Sequence, residues 1–328
     1  MHANVQRELV GKEGSSWTLE EIRAFHRSPS ALRTARAGWV DGQLVGAVEV
    51  RMPLMDNLAL AMPWLSVETS HRRLGLGSAV LAEAEQIGAD QRRTTFIVES
   101  EWAEGGSDLA ESCATRRGYT VAQTMLRSAL DLKANRVEHN GILEHVHDAD
   151  AADDADAAAD DADDAGDYAI ESVVDHLPHE WLDDPAVLQQ RMSTDAPTDD
   201  LALEEEAWDA ERVRATHART RESGRRIVES VARHRPSGRL VGFTRVSVSA
   251  GEPTLAYQQD TLVLREHRGQ ALGFRLKAAN ALLLQEALPQ VTAVRTWNAA
   301  SNELMLADNR RLGYVVDGSS HDWQKVVS

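Results

Sequence analysis

Two short stretches carry residue types suited to holding a polyanion. The first runs Val67-Glu68-Thr69-Ser70-His71-Arg72-Arg73-Leu74-Gly75-Leu76-Gly77-Ser78, the second Val263-Leu264-Arg265-Glu266-His267-Arg268-Gly269-Gln270-Ala271-Leu272-Gly273. Each places an arginine five residues after a valine and small residues where a helix would open. Successive backbone N–H groups at a helix mouth, together with the positive end of the helix dipole, suit a diphosphate. One such turn could equally be a helix entrance that needs glycine for its backbone angles; two in equivalent settings favour an anion cradle. A phosphate loop of the nucleotide-hydrolase kind would close on Gly-Lys-Ser/Thr, and a dinucleotide fold would need a third spaced glycine. Neither pattern is present.

The elements around the two turns come in the same order. Before the first, Leu19 to His26 reads as a helix, Ala35 to Val40 and Leu44 to Met52 as strands joined at Asp41-Gly42, and Ala59 to Val67 as a further strand. After it come a helix to about Ile87, a strand from Thr94 to Val98, a helix from about Leu109 to Arg117 stopped by Gly118, and a strand from Ala122 to Leu132. The second series begins at Tyr168. It has a long polar helix over about Leu203 to Arg221, opened by Glu204, Glu205 and Glu206, then strands at Arg226 to Arg233, Leu240 to Val248 and Leu255 to Leu264. The helix Phe274 to Glu286, the strand Val291 to Trp297, the helix Asn302 to Arg311 and a strand from Gly313-Tyr314 complete it.

The chain has 328 residues and a net charge of -17, of which ten charges are the aspartates between Asp148 and Asp167. Alternating Ala and Asp cannot bury enough apolar surface to order itself, so this stretch is expected to be a solvated tether. No register in it supplies both the glycine and the closing glutamate of a calcium loop. The organisation expected is an amino-terminal domain over 1–133, a linker over 134–167 and a carboxyl-terminal domain over 168–328. Acidity argues against a nucleic-acid partner. With no apolar stretch long enough for a signal peptide or a membrane span, a soluble cytoplasmic protein is expected, without a membrane partner. The single cysteine, Cys113, excludes intramolecular disulfides and a thiolate zinc cluster, and no metal is expected.

The first turn resembles motif A of the GNAT acetyltransferase superfamily through Arg72, Gly75 and Gly77, and the second through Arg268 and Gly273, with Ala271 where glycine is usual. The family's second signature is similar to Thr115-Arg116-Arg117-Gly118-Tyr119 and to Asn309-Arg310-Arg311-Leu312-Gly313-Tyr314. Thr296 to Asn302 also resembles the segment that links strand to helix in many bacterial members, which would bring Asn298 and Asn302 to the cofactor. The resemblance implies an α/β (α+β) protein made of two tandem GNAT folds, each a mixed, mostly antiparallel central sheet flanked by helices, in an arrangement similar to mycothiol synthase-like proteins. It implies acetyl-CoA as acyl donor. Its diphosphate would lie on Arg72, Arg73, Leu74, Gly75, Leu76, Gly77 and Ser78, or on Arg268, Gly269, Gln270, Ala271, Leu272 and Gly273, and its pantetheine beside Ser66 and Val67, or Leu262 and Val263.

The implied reaction is direct transfer to an amine, with a base for the ammonium proton and an acid for the leaving thiolate. The tyrosine that many members carry as acid is replaced by Ala114 and Asn309; Asn309 could bond the thiol or cofactor but has no proton to give. Asp260 is the carboxylate on the strand before the second cradle and the candidate base, although it could equally be a hydrogen-bonded strand residue. Trp297 could line the acceptor pocket or pack in the core. Catalysis is therefore expected in the carboxyl-terminal half, on a small-molecule amine, with the amino-terminal half retaining acetyl-CoA affinity or only supporting the fold. The rival readings are a non-catalytic acyl-CoA-binding protein and a protein lysine acetyltransferase. Two similar domains in one chain suggest a monomer, with a dimer also open.

Overall fold

The computed structural model describes residues 2–10, 17–136, 141 and 165–327. Apart from its ends and residue 141, the acidic tether expected over 134–167 lies outside them. The amino-terminal half contains helices α1 (His2–Val10) and α2 (Leu19–His26), strands β1 (Ala31–Val40), β2 (Gln43–Pro53) and β3 (Leu60–Val67), then α3 (Leu76–Asp90), β4 (Thr95–Ala103), α4 (Glu111–Arg116) and β5 (Thr120–Asp131). The carboxyl-terminal half contains β6 (Tyr168–Val174), α5 (Asp183–Asp195), α6 (Ala210–Glu222), β7 (Arg226–His234), β8 (Leu240–Val248) and β9 (Leu255–Val263). It closes with α7 (Leu272–Ala287), β10 (Ala293–Ala299), α8 (Glu303–Arg311) and β11 (Tyr314–Val326).

Local chemistry sets several of these boundaries. Thr18 and Glu21 form a reciprocal capping box that starts α2. Asp41 and Gly42, both at positive φ, make the two-residue turn between β1 and β2. The long polar helix is shorter than its composition suggests. Residues 201–209 are not helical, because their backbone is held by the other half: Glu204 N–H donates to Asn57 Oδ1 at 2.7 Å, Asn57 N–H donates back to Glu204 Oε2 at 3.0 Å, and Ala207 N–H donates to Asp56 at 3.0 Å. The three glutamates therefore do not open the helix. Asp209 caps it, accepting from Arg212 N–H. Helices α1 and α5 were not marked by their sequence pattern; α5 buries only Pro185, Ala186, Leu188 and Gln189.

All eleven strands form one sheet in the order β1-β2-β3-β4-β11-β5-β10-β9-β8-β7-β6. The order shows a reciprocal exchange. The last strand of the carboxyl-terminal half, β11, lies against β4, and the last strand of the amino-terminal half, β5, lies against β10. The cores follow the exchange: Trp323 of β11 packs with Val50, Phe96 and Tyr119, while Leu130 and Leu132 pack with Val246, Leu284 and Val294. Buried ions join the crossing. Arg127 of β5 donates to Asp317 of β11 at 2.6 Å and to Glu101 of β4 at 2.8 Å, and Arg295 of β10 donates to Asp317 at 3.3 Å. Loss of one partner from such a cluster strands a buried charge and costs about 3 kcal/mol or more.

Candidate functional site

Two pairs of parallel strands break the antiparallel pattern. β9 and β10 pair at Leu255/Ala293, Ala256/Val294 and Tyr257/Arg295, and then the ladder ends. β3 and β4 pair only at Leu60/Thr95 and Ala61/Phe96. Beyond these points no parallel ladder joins either pair among the described residues, and an extended ligand could enter between the strands as an added strand would. Leu262 and Val263, and Ser66 and Val67, lie on β9 and β3 beyond the parallel pairing.

The cradles follow directly. Arg72 donates from Nε to the Val67 carbonyl at 3.3 Å, and Arg268 does the same to Val263 at 3.0 Å, which is the reason for the five-residue spacing. Gly75 caps α3 at φ +85, where a Cβ is disfavoured, so glycine belongs there. Ala271 caps α7 at φ +50. It therefore takes the left-handed conformation rather than the helical one that alanine prefers, and the second turn keeps the shape of the first at the cost of some strain. A Cβ on Gly273 meets nothing within 4 Å. Arg73, Leu74, Leu76, Gly77 and Ser78 in the first turn, and Gly269, Gln270 and Leu272 in the second, complete the two loops.

The cradles differ in what already touches them. Glu8 of α1 accepts from Arg72 at 3.3 Å and from the Thr69 hydroxyl, and α1 packs on both β3 and β4. Arg268 bonds Asp195 at 2.8 Å from the flank, where α5 packs on β8 and β9. The Arg268 side chain remains 46% exposed, against 23% for Arg72.

Both open strand pairs border a cavity of about 900 Å³ between the halves. Asp260 faces it from β9, Glu99 from β4, and Trp64, Tyr257 and Trp297 add aromatic surface. Trp297 stacks on Tyr257 with ring centres 6.2 Å apart and donates to Glu101 at 3.1 Å, so it lines the chamber rather than the core. Burial raises the Asp260 carboxyl above the ordinary range, while Arg245 and the Gln189 amide pull it down. Glu99 stands directly opposite Asp322 across β4 and β11. Its surface is open to the cavity but enclosed by protein, and desolvation, Asp322 and Glu101 raise it to about 8. Asp322 is raised to about 6, chiefly by burial.

Asn309 is not free to meet a ligand alone. Its Oδ1 accepts from Lys277 Nζ at 2.6 Å, and its Nδ2 donates to Asn298 Oδ1 at 2.7 Å. Asn302 caps α8 by accepting from Met305 N–H. Lys277 is buried on α7, and desolvation lowers it to about 8. Sequence reasoning missed Lys277, Glu99 and Asp322. A lysine in the run Phe274 to Leu284 reads as one that reaches for solvent, and the Glu99–Asp322 pair depends on the exchanged strand. Cys113 packs at the edge of the amino-terminal core, 3.4 Å from Ser78 Oγ.

Among the described residues no group of three or more His, Cys, Asp or Glu could hold a metal, and no helix is long and apolar enough to cross a membrane. Parallel pairs that open beside a helix-mouth cradle, twice in one sheet, define a tandem GNAT fold. The solved structures agree. A tandem GNAT protein from the clavulanic acid biosynthesis pathway, solved without acetyl-CoA, aligns with a TM-score of 0.74 and 23% identity over 100% of this chain and 94% of its own. A GCN5-related N-acetyltransferase from Sphaerobacter thermophilus aligns with a TM-score of 0.63 and 16% identity over 99% of this chain and 91% of its own. The glucosamine N-acetyltransferase region of a fungal multi-domain β-N-acetylglucosaminidase gives a TM-score of 0.64 at 14% identity, covering 99% of this chain and 36% of that one. No family model and no curated protein matches the sequence.

Proposed function

We propose that this chain transfers an acetyl group from acetyl-CoA to a small-molecule amine, and that the reaction takes place in the carboxyl-terminal half. The observation that carries the reading is Asp260: a carboxylate on the stretch of β9 free of β10, facing the chamber and held above its ordinary pKa. A carboxylate raised in this way is a stronger base toward an ammonium proton than an ordinary one. The cradle from Arg268 to Gly273 would take the diphosphate, and the backbone of Leu262 and Val263 the pantetheine. Asn298 and Asn302 would border the cofactor on the side of β10 and α8.

In this reading Asp260 removes a proton from the acceptor ammonium. The amine lone pair then forms the C–N bond at the thioester carbonyl, and the C–S bond breaks. The departing thiolate needs a proton, which Asn309 cannot supply. We assign that role to Lys277, the ammonium bonded to Asn309, whose lowered pKa makes it a ready donor. The amino-terminal cradle has the same backbone but is occupied by its own chain through Glu8 and α1. A chamber lined from both halves suits a small molecule better than a lysine on a folded protein.

Asp260→Asn tests the assignment. The acidic limb of the kcat/KM profile, set by a group above the ordinary carboxylate range, should disappear and turnover should fall about 10²- to 10⁴-fold. Unchanged kinetics would remove Asp260 from the mechanism.

A further inference from the structure

The chamber holds two guanidinium groups that form no ion pair among the described residues. Five arginines line it. Three are paired: Arg33 with Glu49, Arg225 with Glu21 at 2.7 Å and Arg245 with Glu229 at 2.6 Å. Arg51 on β2 bonds the Met62 sulfur at 3.1 Å, and Arg219 on α6 bonds the Thr216 hydroxyl at 2.9 Å; among the described residues neither has a carboxylate within ion-pair distance. Both also line an adjoining cavity of about 450 Å³.

Their surroundings increase the positive potential. Burial lowers both groups from the usual arginine value, and Arg33 and Arg212 lower Arg51 further, as Arg212 does Arg219. Glu206 and Glu222 are the carboxylates that oppose this, from beyond ion-pair reach, and Glu206 is already engaged by Trp208 Nε1 at 2.9 Å and by Arg212 at 3.2 Å. Arg212 itself is satisfied by Asp56 and Glu206. A desolvated guanidinium without a counter-charge is unfavourable, and its flat fork of donors matches a carboxylate or a phosphate. Of the chamber's carboxylates, Asp260, Glu99, Glu101 and Asp322 stand on β9, β4 and β11, while Glu206 lines both cavities with the two arginines and is bonded to Trp208 and Arg212. Asp260, Glu99 and Asp322 thus stand on elements other than β2 and α6, which carry the two arginines.

We propose that the acceptor is a zwitterionic small molecule, a primary amine whose other end carries a carboxylate or phosphate, and that Arg51 and Arg219 bind this anionic end. The proposal rests on the acyl-transfer reading and names its substrate class. A simple alkylamine would leave both guanidiniums unneutralised, and a polyamine would be repelled by them.

Binding can be tested without the acyl donor. Calorimetry of the full chain compares 6-aminohexanoate with hexylamine, and phosphoethanolamine with ethanolamine. At least one anion-bearing member should bind about tenfold or more tighter than its partner without the anion, and the pair that shows the preference distinguishes carboxylate from phosphate. Arg51→Gln and Arg219→Gln should each remove the preference, while Arg310→Gln on the surface of α8 keeps it; unfolding temperatures establish that the variants are folded. Inorganic phosphate alone should stabilise the wild type against heat and have no such effect on the double variant. Equal binding of members with and without the anion, absence of binding by every anion-bearing probe, or a preference that survives both substitutions would overturn the proposal. Acetylation of amines lacking the anion without that preference would sink it and leave acyl transfer standing. Anion binding in a protein that takes no acetyl-CoA would do the reverse.

Discussion

The two halves share a scaffold and differ in what fills it. Counted from the valines before the cradles and the glycines after the last helices, Asp260 corresponds to Trp64, Lys277 to Leu81 and Asn309 to Ala114. Leu81 and Ala114 are buried in the amino-terminal core, while Lys277 and Asn309 form a buried hydrogen-bonded pair in the other half. The amino-terminal half, whose helix cap is glycine, therefore has apolar side chains where the other half has Asp260, Lys277 and Asn309, and its arginine is held by Glu8 as Arg268 is by Asp195. Exchange of β5 and β11 makes neither copy complete without the other. The amino-terminal half's β4 and the exchanged β11 build a wall of the chamber.

The largest effect that would sharpen this contrast concerns Lys277. Lys277→Met should lower kcat about a hundredfold with little change in KM, and should remove an alkaline limb near pH 8, where the wild-type lysine loses its proton. A fall in KM alone, or an unchanged alkaline limb, would take the proton-donor role away from it. Leu81→Met, the counterpart in the other half, should leave both parameters alone.

A smaller, pH-dependent effect belongs to Glu99. Because its folded pKa is raised from 4.5 to about 8, the folded state holds a proton that the unfolded state releases, and stability is lost as pH rises through that window. Glu99→Gln should therefore raise the melting temperature at pH 8 and change it little at pH 4. A gain of equal size at both pH values would point to packing instead of titration.

The smallest effect compares the cradles themselves. Ala271→Gly relieves a left-handed alanine and should stabilise by about 1 kcal/mol, whereas Gly75→Ala should cost about as much. Denaturant midpoints would show it. Equal and negligible shifts would mean that neither turn is constrained.

Much of the site was legible because it is local. A five-residue spacing lets an arginine reach the carbonyl of the strand valine, and glycine before a helix marks the left-handed cap; both can be read in twelve residues. Asp260 stood out as the carboxylate on the strand before the second cradle, and it lines the chamber. What could not be read depends on distant pairing. β5 and β11 have the same alternation whether or not they exchange, so Glu99 and Asp322 could not be seen as neighbours. Arg51 and Arg219 lie 168 positions apart on elements whose own patterns say nothing of a shared cavity. The non-helical run 201–209 is fixed by Asp56 and Asn57 of the other half, a constraint invisible to local propensity.

The central claim is that one cradle works and the other is occupied by its own chain. Calorimetric titration with acetyl-CoA of the wild type, Gly273→Trp and Gly75→Trp tests it most directly. The account predicts one binding site in the wild type, lost with Gly273→Trp and kept with Gly75→Trp. Loss of binding only with Gly75→Trp would place the working site in the amino-terminal half and contradict it.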